Sequence, residues 1–203
     1  MAGLQANLFA QGEIAVDVTA EAIRTDLGPR AWVELVPGWL GGADGLFVAL
    51  ATTVDWQQRR RVMWDREVDE PRLTRWYADG SDCDPALLLV RRELERRYRV
   101  PFGAIGLNYY RDGRDSVAWH GDRELRDLDD TIVAIVTLGA ARTFAMRPRD
   151  GGRGRAWHPA SGDLLVMGGD TQATWDHAIP KVATAGPRIS ISVRWARSPA
   201  RTS

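Results

Sequence analysis

From residue 104 onward the chain breaks into short apolar or alternating runs separated by Gly, Asp and Pro, and this texture limits the fold more than any other feature. The runs fall at residues 104–110, 131–138, 142–147, 162–167 and 188–195, each of strand length. The last, Arg188-Ile189-Ser190-Ile191-Ser192-Val193-Arg194, alternates strictly, so both arginines and both serines share one face of a strand. Ahead of these runs, residues 31–40 read as a short strand closed by the Pro37-Gly38 turn. Residues 43–57 carry Leu46, Phe47, Leu50, Val54 and Trp56 at helical spacing. Residues 86–98 repeat that signal with Leu87, Leu88, Val90, Leu94 and Tyr98 against an arginine face, and Asp84-Pro85 marks the start. Two helices before a run of short strands predict an α+β domain whose second half is a β-sandwich or jelly roll. Residues 1–30, small and polar, are expected to form a flexible leader, with 31–203 as the domain.

A chain of 203 residues with 44% hydrophobic content and nine tryptophans can bury a real core in one domain. No apolar run approaches the roughly 20 residues of a membrane span, and no basic start with an apolar block opens the chain. A membrane-free protein is expected. The single cysteine, Cys83, rules out an internal disulfide and fits a reducing cytoplasm. The 27 basic and 27 acidic residues cancel, so no global field draws the chain to nucleic acid. Local charge is less even: Lys181 is the only lysine, and arginines bunch at 59–61, 91–99 and 147–155. Arginine offers planar bidentate donors to phosphate and stacks on bases. Ordinary solvated faces would give the same clusters.

His120-Gly121-Asp122 and the distant His177 supply two imidazoles and one carboxylate, the set that holds non-haem Fe(II) with open coordination positions. Only three histidines occur, and the third, His158, is given no metal role. Taken alone, His177 also fits a core histidine on a strand and His120 a turn.

The flanking residues extend the pattern. Glu70-Pro71-Arg72-Leu73-Thr74 with Trp76-Tyr77, Asn108-x-Tyr110-x-Asp112-Gly113, and Asp115-Ser116-Val117-x-Trp119 lead into His120. Thr137 to Ala140, Arg142-Thr143-Phe144-x-Met146-Arg147 and Gly162-Asp163-Leu164-Leu165-Val166-Met167 follow in order. Thr171-Gln172-x-x-Trp175-x-His177-x-x-Pro180-Lys181 and the 188–194 strand complete the series. Across roughly residues 31–197 the chain resembles the AlkB family of Fe(II)- and 2-oxoglutarate-dependent dioxygenases.

That resemblance implies a double-stranded β-helix (jelly-roll) core with N-terminal helices packed on it. It implies Fe(II) on His120, Asp122 and His177, with 2-oxoglutarate and O2 as cosubstrates. Arg188 would take the far carboxylate of 2-oxoglutarate and Arg194 the nearer one, with Asn108, Tyr110 and Ser190 beside them. Trp76 and Tyr77 match the start of a lid that would stack the target base against His120, and Glu124 would meet its exocyclic amine. The implied activity is oxidative removal of N-alkyl groups, as in 1-methyladenine and 3-methylcytosine, from single-stranded DNA or RNA by a monomer, releasing formaldehyde and succinate. Arg147, Arg149, Arg153 and Arg155 are candidate phosphate contacts. Three departures stand out: the lid after Tyr77 is short, Arg123 occupies an often acidic position, and Ser190 replaces an asparagine. They open two alternatives, the same chemistry on a protein side chain or small metabolite, and a silent nucleic-acid-binding module.

Overall fold

The structure, a computed structural model, describes residues 12–63, 66–78, 82–128 and 130–197. Four strands open it: β1 (Ala15–Val16), β2 (Ile23–Asp26), β3 (Ala31–Val36) and β4 (Leu40–Gly41). Helix α1 (Ala43–Thr53) follows, then β5 (Gln57–Met63), β6 (Arg66–Tyr77) and helix α2 (Pro85–Tyr98). The remaining strands are β7 (Ile105–Tyr110), β8 (Val117–His120), β9 (Thr131–Gly139), β10 (Phe144–Pro148), β11 (Arg155–Trp157) and β12 (Leu164–Gly169). A single turn, α3 (Thr171–Thr174), leads into β13 (Trp175–Ile179), and β14 (Arg188–Ala196) closes the domain.

All described strand pairs are antiparallel; β1 pairs with β4 as a separate two-stranded sheet, and two facing sheets make the core. The larger has the order β2-β3-β12-β9-β14-β7-β6-β5, and the smaller β11-β10-β13-β8. Strand periodicity sorts side chains between two cores. On β14, Ile189, Ile191 and Val193 join the apolar layer beneath the helices, while Arg188, Ser190, Ser192 and Arg194 face the small sheet. On β12, Leu164 and Val166 lie under the helices, whereas Leu165 and Met167 fill the space between the sheets with Met146, Phe144 and Ile179. This arrangement is the expected jelly-roll core with helices on one outer face.

The helices follow local rules. Asp84 caps α2 by accepting from the Ala86 amide at 2.8 Å, with Pro85 in the first turn. Arg99 ends it in the left-handed region at φ 55°. Helix α1 stops at Thr53 rather than running to Gln57, because Val54 turns extended and the Trp56 indole donates to the Leu50 carbonyl at 3.2 Å. The same carbonyl accepts from the Val54 amide at 3.2 Å, the last helical bond of α1.

Part of the segment expected to be a loose leader is paired. β2 extends the large sheet along β3, and Asp17 N donates to Trp39 O at 2.9 Å. The pairing is made by backbone bonds, which hydropathy does not register, and Ile14, Val16, Ala20 and Ala22 are half-buried against the core; residues 1–11 lie outside the described residues. No described helix is long and apolar enough to cross a membrane.

Candidate metal centre and cosubstrate pocket

The metal cluster is assembled by the small sheet. Strand β13 pairs with β8 so that His177 faces His120 and Ile179 faces Val117. One residue on β13, Ala178, lies between those pairs and two on β8, so β8 bulges at Ala118 and Trp119. The bulge keeps both Val117 and His120 directed between the sheets. It also places the Ala118 carbonyl 2.9 Å from His120 Nδ1. A proton on Nδ1 donated there leaves Nε2 as the free lone pair, the orientation a metal ligand needs.

His120, Asp122 and His177 bring one ligand atom each within 4.8 Å of one another. His177 is buried, stacked on Phe144 at 5.5 Å between ring centroids, and its Nδ1 has no hydrogen-bond partner. Burial, together with His120, holds its pKa down to about 3, so the imidazole stays neutral and able to bind a cation. Burial would raise the Asp122 carboxyl, but the Arg194 guanidinium, helped by His177 and His120, outweighs it and keeps the carboxylate ionised. Arg194 Nε donates to Asp122 Oδ2 at 2.6 Å. The Asp122 amide donates to Gln172 Oε1 at 3.0 Å, and Gln172 itself is fully buried on α3.

The turn between the two ligands is packed from behind. A Cβ on Gly121 would lie 2.1 Å from Arg149 Nη2. Arg149 cannot easily withdraw, since it bonds Asp176 at 3.0 Å and the Ala173 carbonyl at 3.1 Å. Gly121 is therefore the residue that lets this guanidinium close over the metal-bearing turn.

Next to the cluster lies a cavity of about 90 Å³ between the sheets. Asn108, Tyr110, Arg188, Ser190 and Arg194 line its large-sheet wall; Val117, Phe144 and Ile179 line the other. Pairing of β14 with β7 sets Arg188 beside Tyr110 and Ser190 beside Asn108, and Asn108 Nδ2 donates to Ser190 Oγ at 3.5 Å. Arg188 is 1% exposed. Its guanidinium donates to Thr137 Oγ1 at 3.2 Å and lies 5.2 Å from the Tyr110 ring, while Nε has no partner. No described carboxylate pairs with it. Burial pulls its pKa below the usual arginine value, Tyr110 opposing and Arg142 adding to the effect. A buried guanidinium without an acid is costly, and an entering carboxylate would relieve it.

Other expected site residues separate. Trp76 and Tyr77 are neighbours on β6 and so point to opposite faces. Trp76 lies on the cavity side, with its ring against Gly106 and 5.7 Å from the Arg194 guanidinium. Tyr77 is buried in the helix-side core, so the expectation that it contacts substrate is corrected. Glu124 is exposed on the single 3-10 turn after Asp122. Residues 79–81 of the lid lie outside the described residues. Arg147 and Arg149 are engaged with Asp176, Arg149 closely, whereas Arg153 and Arg155 are exposed along a separate cleft with Arg30. Two residues around the site were not anticipated: Gln172, which accepts from the Asp122 amide, and Arg72 on the cavity wall, whose Nε donates to Asn108 Oδ1 at 2.9 Å.

The sequence pattern described as the 2OG-Fe(II) oxygenase superfamily matches residues 49–194. Alpha-ketoglutarate-dependent dioxygenase alkB homolog 3 of Bos taurus is 34% identical over 186 residues, 80% of this chain and 65% of that protein. The chain belongs to this superfamily, in its AlkB family. DNA oxidative demethylase ALKBH2 of Bos taurus is a second AlkB relative, 30% identical over 122 residues, 54% of this chain and 43% of its own length. The chain thus spans less than two thirds of these relatives. A prolyl hydroxylase from Trichoplax adhaerens, solved with a hypoxia inducible factor peptide, superposes with a TM-score of 0.61 at 10% identity. That match covers 81% of this chain and 83% of the other, and it shows the jelly-roll fold. Fe(II), 2-oxoglutarate and O2 are the cofactors of the superfamily. The residues present fit them: a neutral imidazole with an orphan nitrogen, an ionised carboxylate, and a buried cation lacking an acid.

Proposed function

We propose that this AlkB-family chain removes N-methyl groups oxidatively from bases of the 1-methyladenine and 3-methylcytosine type in single-stranded DNA or RNA. One observation carries the reading: the His-Asp-His cluster opens on the same cavity as the acid-free guanidinium of Arg188. His120, Asp122 and His177 would hold the metal, and Arg188 the far carboxylate of 2-oxoglutarate. Tyr110 lies beside Arg188 at that end, and Asn108 and Ser190 follow along the same wall. Arg194 is committed to Asp122, so its first role is to orient that ligand and keep it ionised.

With iron bound, O2 and 2-oxoglutarate supply the oxidation, one oxygen atom ending in succinate and the other on the methyl carbon as CO2 leaves. The hydroxymethyl product then releases formaldehyde and the ring nitrogen keeps its electron pair. Val117, Phe144 and Ile179 keep the far wall apolar and dry. Trp76, 47% exposed beside Arg194, is placed to meet the base, and Arg153 and Arg155 are free to meet phosphates. The names of the AlkB relatives, one a DNA oxidative demethylase, support a nucleic-acid substrate.

The test is formaldehyde release from methylated oligonucleotides with Fe(II) and 2-oxoglutarate, abolished by Asp122→Ala. Succinate formation without demethylation would refute the substrate. A second reading, a protein or small-metabolite substrate, draws on the zero net charge and the short link between β6 and α2. Steep loss of binding with salt belongs to the nucleic-acid reading, since each phosphate contact releases counterions.

A further inference from the structure

Tryptophan seldom stays in water without a reason, because its large apolar surface gains from burial. Among the described residues, Trp119 is 42% exposed and stands in the β8 bulge immediately before His120. β8 is the last strand of the small sheet and pairs only with β13, so this indole sits on a sheet edge. The Arg147 guanidinium lies 4.5 Å from the ring centroid. That contact steadies the ring on one side, and a substantial part of the residue remains open to water. Arg147 is itself poorly neutralised: Asp176 is 3.8 Å from it but 3.0 Å from Arg149, and the Arg147 side chain is 51% exposed. An exposed π-surface carrying an under-neutralised cation is the chemistry that receives a nucleobase and its phosphate.

We propose that Trp119 and Arg147 form a stacking platform for the nucleotide adjoining the methylated base in a single strand. The proposal rests on the nucleic-acid reading above and adds where the strand lies. Trp119 and His120 are one residue apart, about 3.8 Å between Cα atoms. Stacked nucleotides step by about 3.4 Å, a distance of the same order. His120 faces the cavity while Trp119 faces out, so the target base turns inward and its neighbour remains on the indole. The small-sheet strand carrying the metal ligand thereby also sets the register of the polymer.

The test compares wild type, Trp119→Ala, Trp119→Phe and Arg147→Gln in binding a fluorescently labelled, unmethylated oligothymidylate pentamer by anisotropy. Turnover of a methylated mononucleotide and a methylated pentanucleotide is measured alongside. Trp119→Ala should weaken pentamer binding about tenfold, with Phe restoring most of it. It should raise KM for the methylated pentanucleotide similarly and leave kcat/KM for the mononucleotide unchanged. Equal loss on both substrates would assign Trp119 a structural role and overturn the platform, as would unchanged pentamer binding. If the wild type binds the pentamer tenfold tighter than Trp119→Ala yet demethylates nothing, the platform stands and the demethylase reading falls.

Discussion

Replacing Arg188 by methionine should move stability and cosubstrate binding in opposite directions. Burying an ion costs several kcal/mol even after the protein relaxes. Against this, Arg188 has one hydrogen bond, to Thr137 Oγ1, and a face contact with Tyr110. A hydrogen bond from a charged group returns about 1.5–3 kcal/mol, and a desolvated cation–π contact about 2 kcal/mol. The balance without an anion is therefore near zero or unfavourable by about 1–2 kcal/mol. Methionine has similar length, fills the site and carries no charge. In a chain of this size each kcal/mol moves the melting point by about 2–4 °C, so the ligand-free variant should melt with wild type or up to about 8 °C above it. Wild type with Mn(II) and 2-oxoglutarate at 100 times Kd should gain about 2.7 kcal/mol, or roughly 5–10 °C. Losing one partner of a buried ion pair costs about 2–5 kcal/mol, so the variant's Kd should rise at least about thirtyfold, and at the same ligand concentration the gain should shrink to about 0.9 kcal/mol (about 2–4 °C) or less. Differential scanning fluorimetry with and without 2-oxoglutarate reads both effects. A variant that melts several degrees low on its own, yet keeps its ligand shift, would show that Arg188 is structural.

Three further outcomes follow from the same geometry. Gln172→Leu takes the acceptor from the Asp122 amide and should weaken metal binding about 10- to 100-fold, read by Co(II) titration; unchanged affinity would remove Gln172 from the site. Gly121→Ala forces a Cβ against the pinned Arg149 and should cost about 1–3 kcal/mol, a cost that shrinks in the Gly121→Ala, Arg149→Ala double variant; additive losses in denaturant melts would refute the clash. Burial works against the Asp115 carboxylate, but hydrogen bonds from the Arg111 side chain and backbone prevail and lower its pKa. Its contribution to stability is thus present above the unfolded value near 3.9 and fades as pH falls through the folded value. Asp115→Asn should cost about 1–3 kcal/mol at pH 7 and progressively less as pH falls through the folded value, and a pH-independent difference in urea midpoints would contradict the pairing.

What the sequence made legible depended on whether its signal was local. Strands β9, β12 and β14 were readable because their residues alternate between two cores or are apolar on both faces. The cluster of His120, Asp122 and His177 was readable as a candidate metal site because two of its members are two residues apart. Strand β5 was not, since an edge strand of Gln57, Gln58, Arg59 and Arg60 shows no apolar face to count. Missing it hid the assignment of residues 70–77 to its partner strand, and with that the rule that Trp76 and Tyr77 must diverge. Placing both in a lid was thus an error of secondary structure before it was an error of function. Gln172 and Arg72 were beyond reach for a different reason: their partners lie 50 and 36 residues away, and only the closed sheets bring them together. The arginine run at 147–155 shows the same limit. Its members look alike in sequence, but pairing of β10 with β13 sets Asp176 where Arg149 takes the close contact at 3.0 Å, while Arg147 at 3.8 Å, Arg153 and Arg155 stay exposed. Charge patterning can nominate such a cluster for nucleic acid, but strand register decides which guanidinium is spent on the fold and which is left to meet a phosphate.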